Sequence, residues 1–119
     1  MRDQNWQELI AASEKLLALN PVSFPDAWLA NSVGNYSLQN WAAAEKSARR
    51  GIEVDPEHRV PKLEYVLAII LMQKPNYQEA AQHMHTFLNQ VSKPEEIEEA
   101  RKQLAEIARL SAAASDSAR

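Results

Sequence analysis

The stretch Asn40-Trp41-Ala42-Ala43 decides how this chain is read, because its plan recurs on either side. Asn5-Trp6-Gln7-Glu8 precedes it and Asn76-Tyr77-Gln78-Glu79 follows it, each an Asn suited to capping a helix and then an aromatic at the first helical position. In two of the three a Glu stands three residues after the Asn, where its charge favours a helix start. Trp41 lies 35 residues after Trp6, and Tyr77 lies 36 after Trp41. The register holds downstream: three residues after each aromatic come Leu9, Ala44 and Ala80, and at ten and eleven residues come Leu16-Leu17, Gly51-Ile52 and Phe87-Leu88. The first two units close alike, as Leu19-Asn20-Pro21 and Val54-Asp55-Pro56. Proline stops the helix there by removing a donor and constraining the residue before it.

Between these helices the spacing predicts others. Residues 25–38 carry Trp28, Leu29, Val33 and Tyr36 at helical intervals, and 59–74 carry Leu63, Tyr65, Val66, Leu67, Ile69, Ile70 and Met72. The links Gln39-Asn40 and Pro75-Asn76 are so short that each helix must fold back on its neighbour as an antiparallel hairpin. A sixth helix is expected over 94–111, with Ser92 and Glu95 as a capping box and an apolar stripe of Ile97, Ala100, Leu104, Ile107 and Ala108. Glu95, Glu96, Glu98 and Glu99 suit its N-terminal dipole, and 112–119 reads as a disordered polar tail. The expected fold is therefore all-α, an α-solenoid of antiparallel helix hairpins with about six helices in one domain. Its units are a half repeat at 5–21, full repeats at 25–56 and 59–92, and a capping helix at 94–111.

The bulk composition agrees. The 119 residues suffice for one core, 45% are hydrophobic and 24% charged, and only 2 Gly occur. A formal charge of -3 is a poor footprint for a phosphate backbone, so no nucleic-acid partner is expected. Without cysteine there is no disulfide framework, thiolate nucleophile or cysteine zinc site, and the compartment stays undetermined. The polar start of the chain does not read as a targeting segment. The apolar run 66–72 is far too short to insert in a membrane.

This arrangement resembles the tetratricopeptide repeat, with its W-x2-L-G-x2-Y, A-x3-F and P pattern over about 34 residues. The middle unit matches at Trp28, Ala44 and Pro56 and departs at Asn31, Ser32, Asn35 and Ala48. The third unit keeps Leu67 and Ala80, with Ala68 for Gly, Met84 for Phe, Glu64 for Trp and Ser92 for Pro. The first unit supplies a second helix only, with Leu9, Ser13 and Pro21 at the Ala, Phe and Pro sites.

The resemblance implies a non-catalytic module that binds a protein or peptide on its concave side, lined by the first helix of each pair. Carried over residue by residue, that groove holds Asp26, Leu29, Val33 and Tyr36, then Lys62, Tyr65, Val66, Ile69 and Met72, with Glu98 and Lys102 from the last helix. Some members of the family clamp a carboxylate with Lys, Arg and Asn. Here Leu29, Val33 and Val66 stand at those places, so an apolar floor suited to a helix or an extended segment is expected instead. A second expectation concerns Trp6, Leu9, Ile10, Leu16 and Leu17, a stripe broad enough to touch helices on both sides. Either the chain is cut from a longer repeat array, or this face makes a homodimer.

No enzyme, cofactor or metal chemistry emerges from the residues. His83 and His85, two apart on a helix, point to different faces and read as solvent-facing or partly packed. His58 has no ligand spacing around it. Ser13, Ser32 and Ser47 lack a partner histidine, and no glycine-rich phosphate loop exists, since Gly34 and Gly51 fall inside predicted helices. Gly51 reads as a point of close helix approach, and Arg49-Arg50 as a basic pair on a solvent face.

Overall fold

A computed structural model describes residues 3–117. Among them six helices follow one another with no strand: α1 Asp3–Leu19, α2 Pro25–Ser37, α3 Trp41–Glu53, α4 Lys62–Gln73, α5 Tyr77–Gln90 and α6 Pro94–Ser117. Each packs on its neighbours along the chain, and α2 also meets α4, as a stack of helix pairs requires. None of these helices is long and apolar enough to cross a membrane.

Local chemistry sets the boundaries. Asn40 and Asn76 both directly precede their helices, but only Asn76 caps with its side chain, accepting from the Glu79 amide at 3.4 Å. Asn40 turns its amide instead toward Asn35 Oδ1 at 3.3 Å. The first copy differs from expectation: α1 already begins at Asp3, so Asn5 lies within the helix and does not cap it. Likewise α4 starts at Lys62 rather than near 59, because Val60 precedes Pro61 and proline disfavours helical geometry in the residue before it. Between α2 and α3, Gln39 takes φ 63° and the Asn40 amide bonds back to the Asn35 carbonyl at 2.8 Å, a left-handed helix ending.

The closing Asn-Pro and Asp-Pro pairs do more than stop a helix. Asn20 Oδ1 accepts from the amides of Val22 and Ser23, both at 3.1 Å. Asp55, buried, accepts from Arg59 at 3.0 Å and Val60 at 2.8 Å. In both repeats an acceptor side chain so ties down the loop that leads onward.

The main core lies in α3 to α6: Ala44, Ala48, Leu67, Ala68, Ile70, Leu71, Ala80, Met84, Phe87, Ala100 and Ile107. Small residues set the spacing of the helices. A Cβ on Gly51 would stand 2.6 Å from Leu63 Cδ2 and 2.9 Å from Trp28 Cβ, which confirms the close approach expected there. On Gly34 it would stand 2.7 Å from Ile10 Cγ1, so Gly34 is what lets α1 seat on α2.

Two expectations about α6 need correction. No hydrogen bond joins Ser92 to Glu95 among the described residues; the first turn hangs from the Lys93 carbonyl, which accepts from Glu96 at 3.1 Å and Ile97 at 3.0 Å. The helix also runs past Ser111 to Ser117, where a disordered tail was expected. Ala112-Ala113-Ala114 are the strongest helix formers and no Gly or Pro interrupts them, so propensity carries the helix on, though residues 111–116 are exposed. Residues 118–119 of that expected tail lie outside the described residues.

Candidate functional site

The first helices of successive pairs, α2, α4 and then α6, line one side of the stack, and the open space lies between them. Val33, Tyr36 and Ser37 of α2 face Tyr65, Val66 and Ile69 of α4 across a hollow of about 260 Å³. All six are half-buried, so their apolar surface is only partly covered by the fold. A second hollow of about 180 Å³ continues from it, lined by Lys62 and Tyr65 of α4, Phe87 of α5, and Glu95, Glu96 and Glu99 of α6. Tyr65 belongs to both.

Tyr65 is held from two sides. Its ring meets Phe87 with centroids 5.2 Å apart and planes tilted by 58°, while its hydroxyl donates to Glu99 Oε1 at 3.1 Å. Burial, and then the bond to Glu99, pushes its hydroxyl pKa up to about 12. Gln103 Nε2 donates to the same Glu99 oxygen at 2.9 Å, and these bonds hold the Glu99 carboxyl below the usual range, Gln103 contributing most. Tyr36 is fixed by an edge-on contact with Trp41, centroids 5.3 Å apart.

Of the expected groove residues, Val33, Tyr36, Tyr65 and Ile69 thus meet around one hollow with Val66, and Lys62 stands on the adjoining one. Leu29 and Met72 line neither; Met72, at the far end of α4, is half-buried and packs against the core as Tyr36, Tyr65, Val66 and Ile69 also do. On α6 the expectation misses the register by one residue. Glu98 and Lys102 are exposed, and Glu99 takes the place facing Tyr65.

The expected self-association face is partly covered and partly open. Leu17 is only 7% exposed, and Trp6, Leu9 and Ile10 are half-buried. Ile10 rests on Gly34, so part of the stripe forms the seam of α1 on α2. Leu16 of the stripe is exposed, and among the described residues the other exposed large apolar side chains are Leu19, Val22 and Phe24, which continue into the loop before α2.

Sequence reasoning missed a chain of charges on the opposite side of the stack. Lys74 Nζ reaches Glu45 at 2.8 Å, Glu45 reaches Arg49 at 2.9 Å, and Arg49 spans to α5 with two bonds to Glu79 of 2.7 and 3.0 Å. His83 then places Nε2 3.2 Å from Glu79 and Nδ1 2.5 Å from the buried Glu64. Arg49, read as a plain surface cation, is thus a bridge between α3 and α5; its carboxylate partners raise its pKa, Glu79 most of all. Glu79 is held down to about 2, first by its bond to Arg49. The pairs Glu45–Arg49 and Glu79–His83, four apart on one helix, were legible in the sequence; the links across helices were not. A hollow of about 650 Å³ beside this chain is lined by Trp41, Lys46, Arg49, Arg50 and Lys74, but Arg49, Arg50 and Lys74 are already paired with glutamates. Among the described residues, no group of His, Asp and Glu is placed to hold a metal ion.

No family model matches this chain, and no curated protein matches it.

Proposed function

We propose that this chain is a tetratricopeptide-like, non-catalytic module that binds a segment of another polypeptide in the groove lined by α2, α4 and α6. The supporting observation is the hollow between Val33, Tyr36, Tyr65, Val66 and Ile69. Simple core side chains at helical spacing would be sealed, as Leu67 and Ile70 are; these remain half-open in a row along two helices. Partly covered apolar surface beside positioned tyrosines is the chemistry by which grooves accept apolar anchors, since each anchor residue loses water on docking. The repeat register of the sequence supports the same reading.

The test is a selection of random displayed peptides against the folded protein, with selected peptides mapped by amide chemical shifts. Binders should shift resonances of α2 and α4, and Ile69→Glu should weaken them by roughly a hundredfold, about 2–3 kcal/mol for a charge set into an apolar contact. Binders that map to the outer face, or that ignore Ile69→Glu in a variant with unchanged helical circular dichroism, would refute the reading.

A second reading is self-association through the end of α1, favoured by Leu19 at 84% and Val22 at 60% exposure. Light scattering would then give a mass above 13.4 kDa that Leu19→Glu returns to the monomer value. An unchanged mass in that variant ends this reading.

A further inference from the structure

The two hollows on the groove side differ in charge while sharing a wall, and this difference defines an occupant. The first exposes apolar side chains of α2 and α4. The second adds three carboxylates, Glu95, Glu96 and Glu99, against the single cation Lys62. Tyr65 and Ile69, four residues apart on α4, place the two sites about 6 Å from each other along that helix.

Two clusters of carboxylates on helices α3 to α6 differ in how they are matched. On the outer side Glu45, Glu64 and Glu79 are each matched by a cation or an imidazole. On the groove side neither Glu95 nor Glu96 has an ion-pair partner among the described residues, and Glu99 is hydrogen-bonded by the neutral donors Tyr65 and Gln103, both on one oxygen, with the charge of Lys102 acting on it without an ion-pair contact. The dipole of α6 explains Glu95 and Glu96 in its first turn, but the dipole acts over that turn only and does not reach Glu99. Glu99 is instead fixed from across the groove by Tyr65.

We propose that the groove selects a basic-apolar polypeptide segment, seating an apolar side chain between Val33, Tyr36, Val66 and Ile69 and a Lys or Arg of the same segment against Glu95, Glu96 and Glu99. The inference rests on the groove reading above and adds the chemistry of its partner. An acidic segment would meet three like charges at the rim, which penalises it through the same field that attracts a basic one. The apolar hollow supplies contact area and the glutamates supply choice of partner and orientation.

The same peptide selection tests both ideas separately. Groove-binding peptides should be enriched in Lys or Arg about one helical turn from Leu, Ile, Phe or Trp. A selected peptide should bind the E95Q/E96Q/E99Q protein roughly tenfold more weakly, as the loss of three carboxylates around one partly exposed cation implies. Its affinity for the unmodified protein should also fall with added salt. Gln at position 99 keeps an acceptor for Tyr65, so the fold is spared. Groove binders without basic enrichment, or with affinity unchanged in the triple variant, overturn this inference and leave the groove reading standing. Peptides insensitive to Ile69→Glu, or no peptides at all, overturn both.

Discussion

His83 presents both ring nitrogens to carboxylates, Glu64 on one side and Glu79 on the other. A neutral imidazole has a single N–H, so only the imidazolium donates to both at once. The bond to Glu64 is the main reason its pKa is raised above the ordinary 6.5, although burial opposes the shift. A raised pKa in the folded state means the fold binds this proton more tightly than the unfolded chain does. Its stabilisation is therefore fully present below pH 6.5 and is lost as pH rises through the raised value. The Arg49–Glu79 pair stays charged across that window, so the slope belongs to His83. Urea unfolding between about pH 5.5 and 9 should show wild type exceeding His83→Gln at the acid end, with the gap closing toward the alkaline end. A gap that stays constant with pH would exclude this role. The sequence placed His83 and Glu79 on one helix face, but Glu64 arrives from another helix and could not be read in advance.

At the scale of the element, α2 shows why a degenerate pattern still folds. Asn31, Ser32 and Asn35 stand where the repeat pattern has Leu, Gly and Tyr, and all three are buried. Asn31 Nδ2 donates to Ser13 Oγ on α1 at 3.0 Å, and its Oδ1 accepts from Ser47 Oγ on α3 at 2.6 Å and from Asn35 Nδ2 at 3.0 Å. Ser32 donates to the Ala44 carbonyl at 2.8 Å. Ser13 itself occupies a site where the pattern has Phe. Asn31, Asn35, Ser13 and Ser47 thus form one hydrogen-bonded seam joining three helices. Asn31→Leu alone should destabilise the protein by about 2 kcal/mol, because Ser47 loses its acceptor in a buried place while Asn35 keeps only the Asn31 carbonyl. Adding Ser13→Ala and Ser47→Ala should cost less than the sum of the separate changes. Strict additivity in a mutant cycle by chemical denaturation would show that the seam does not act as a unit.

For the whole molecule, the stack makes stability uneven along the chain. The main buried cluster draws on α3 to α6, while α1 touches chiefly α2 and has only Ser13 and Leu17 buried. In a nearest-neighbour stack the two end helices open first, and of these α6 is tied to the main cluster through Ala100 and Ile107 while α1 is not. Native-state hydrogen exchange should find the amides of α1 opening at a lower free energy than those of α4 and α5, by about 2 kcal/mol or more. Equal protection throughout would mean that the seam through Asn31 couples α1 to the core as firmly as apolar packing couples the rest.

The apolar lining at Val33, Tyr36, Tyr65 and Ile69 was expected from the resemblance to the repeat, while helix content, the number of helices and their pairing into hairpins were legible in the residues themselves. They depend on periodicity, short links and proline stops, which act over a few neighbouring residues. Tertiary structure alone decided that Leu17 and Ile10 face inward, that Glu99 rather than Glu98 reaches Tyr65, and that Glu64, His83, Glu79 and Arg49 join three helices. Each of these depends on the rotation of one helix against another. A helix turns by about 100° per residue, so a small rotation, set by close contacts such as Gly34 on Ile10, changes which side chain faces a neighbour.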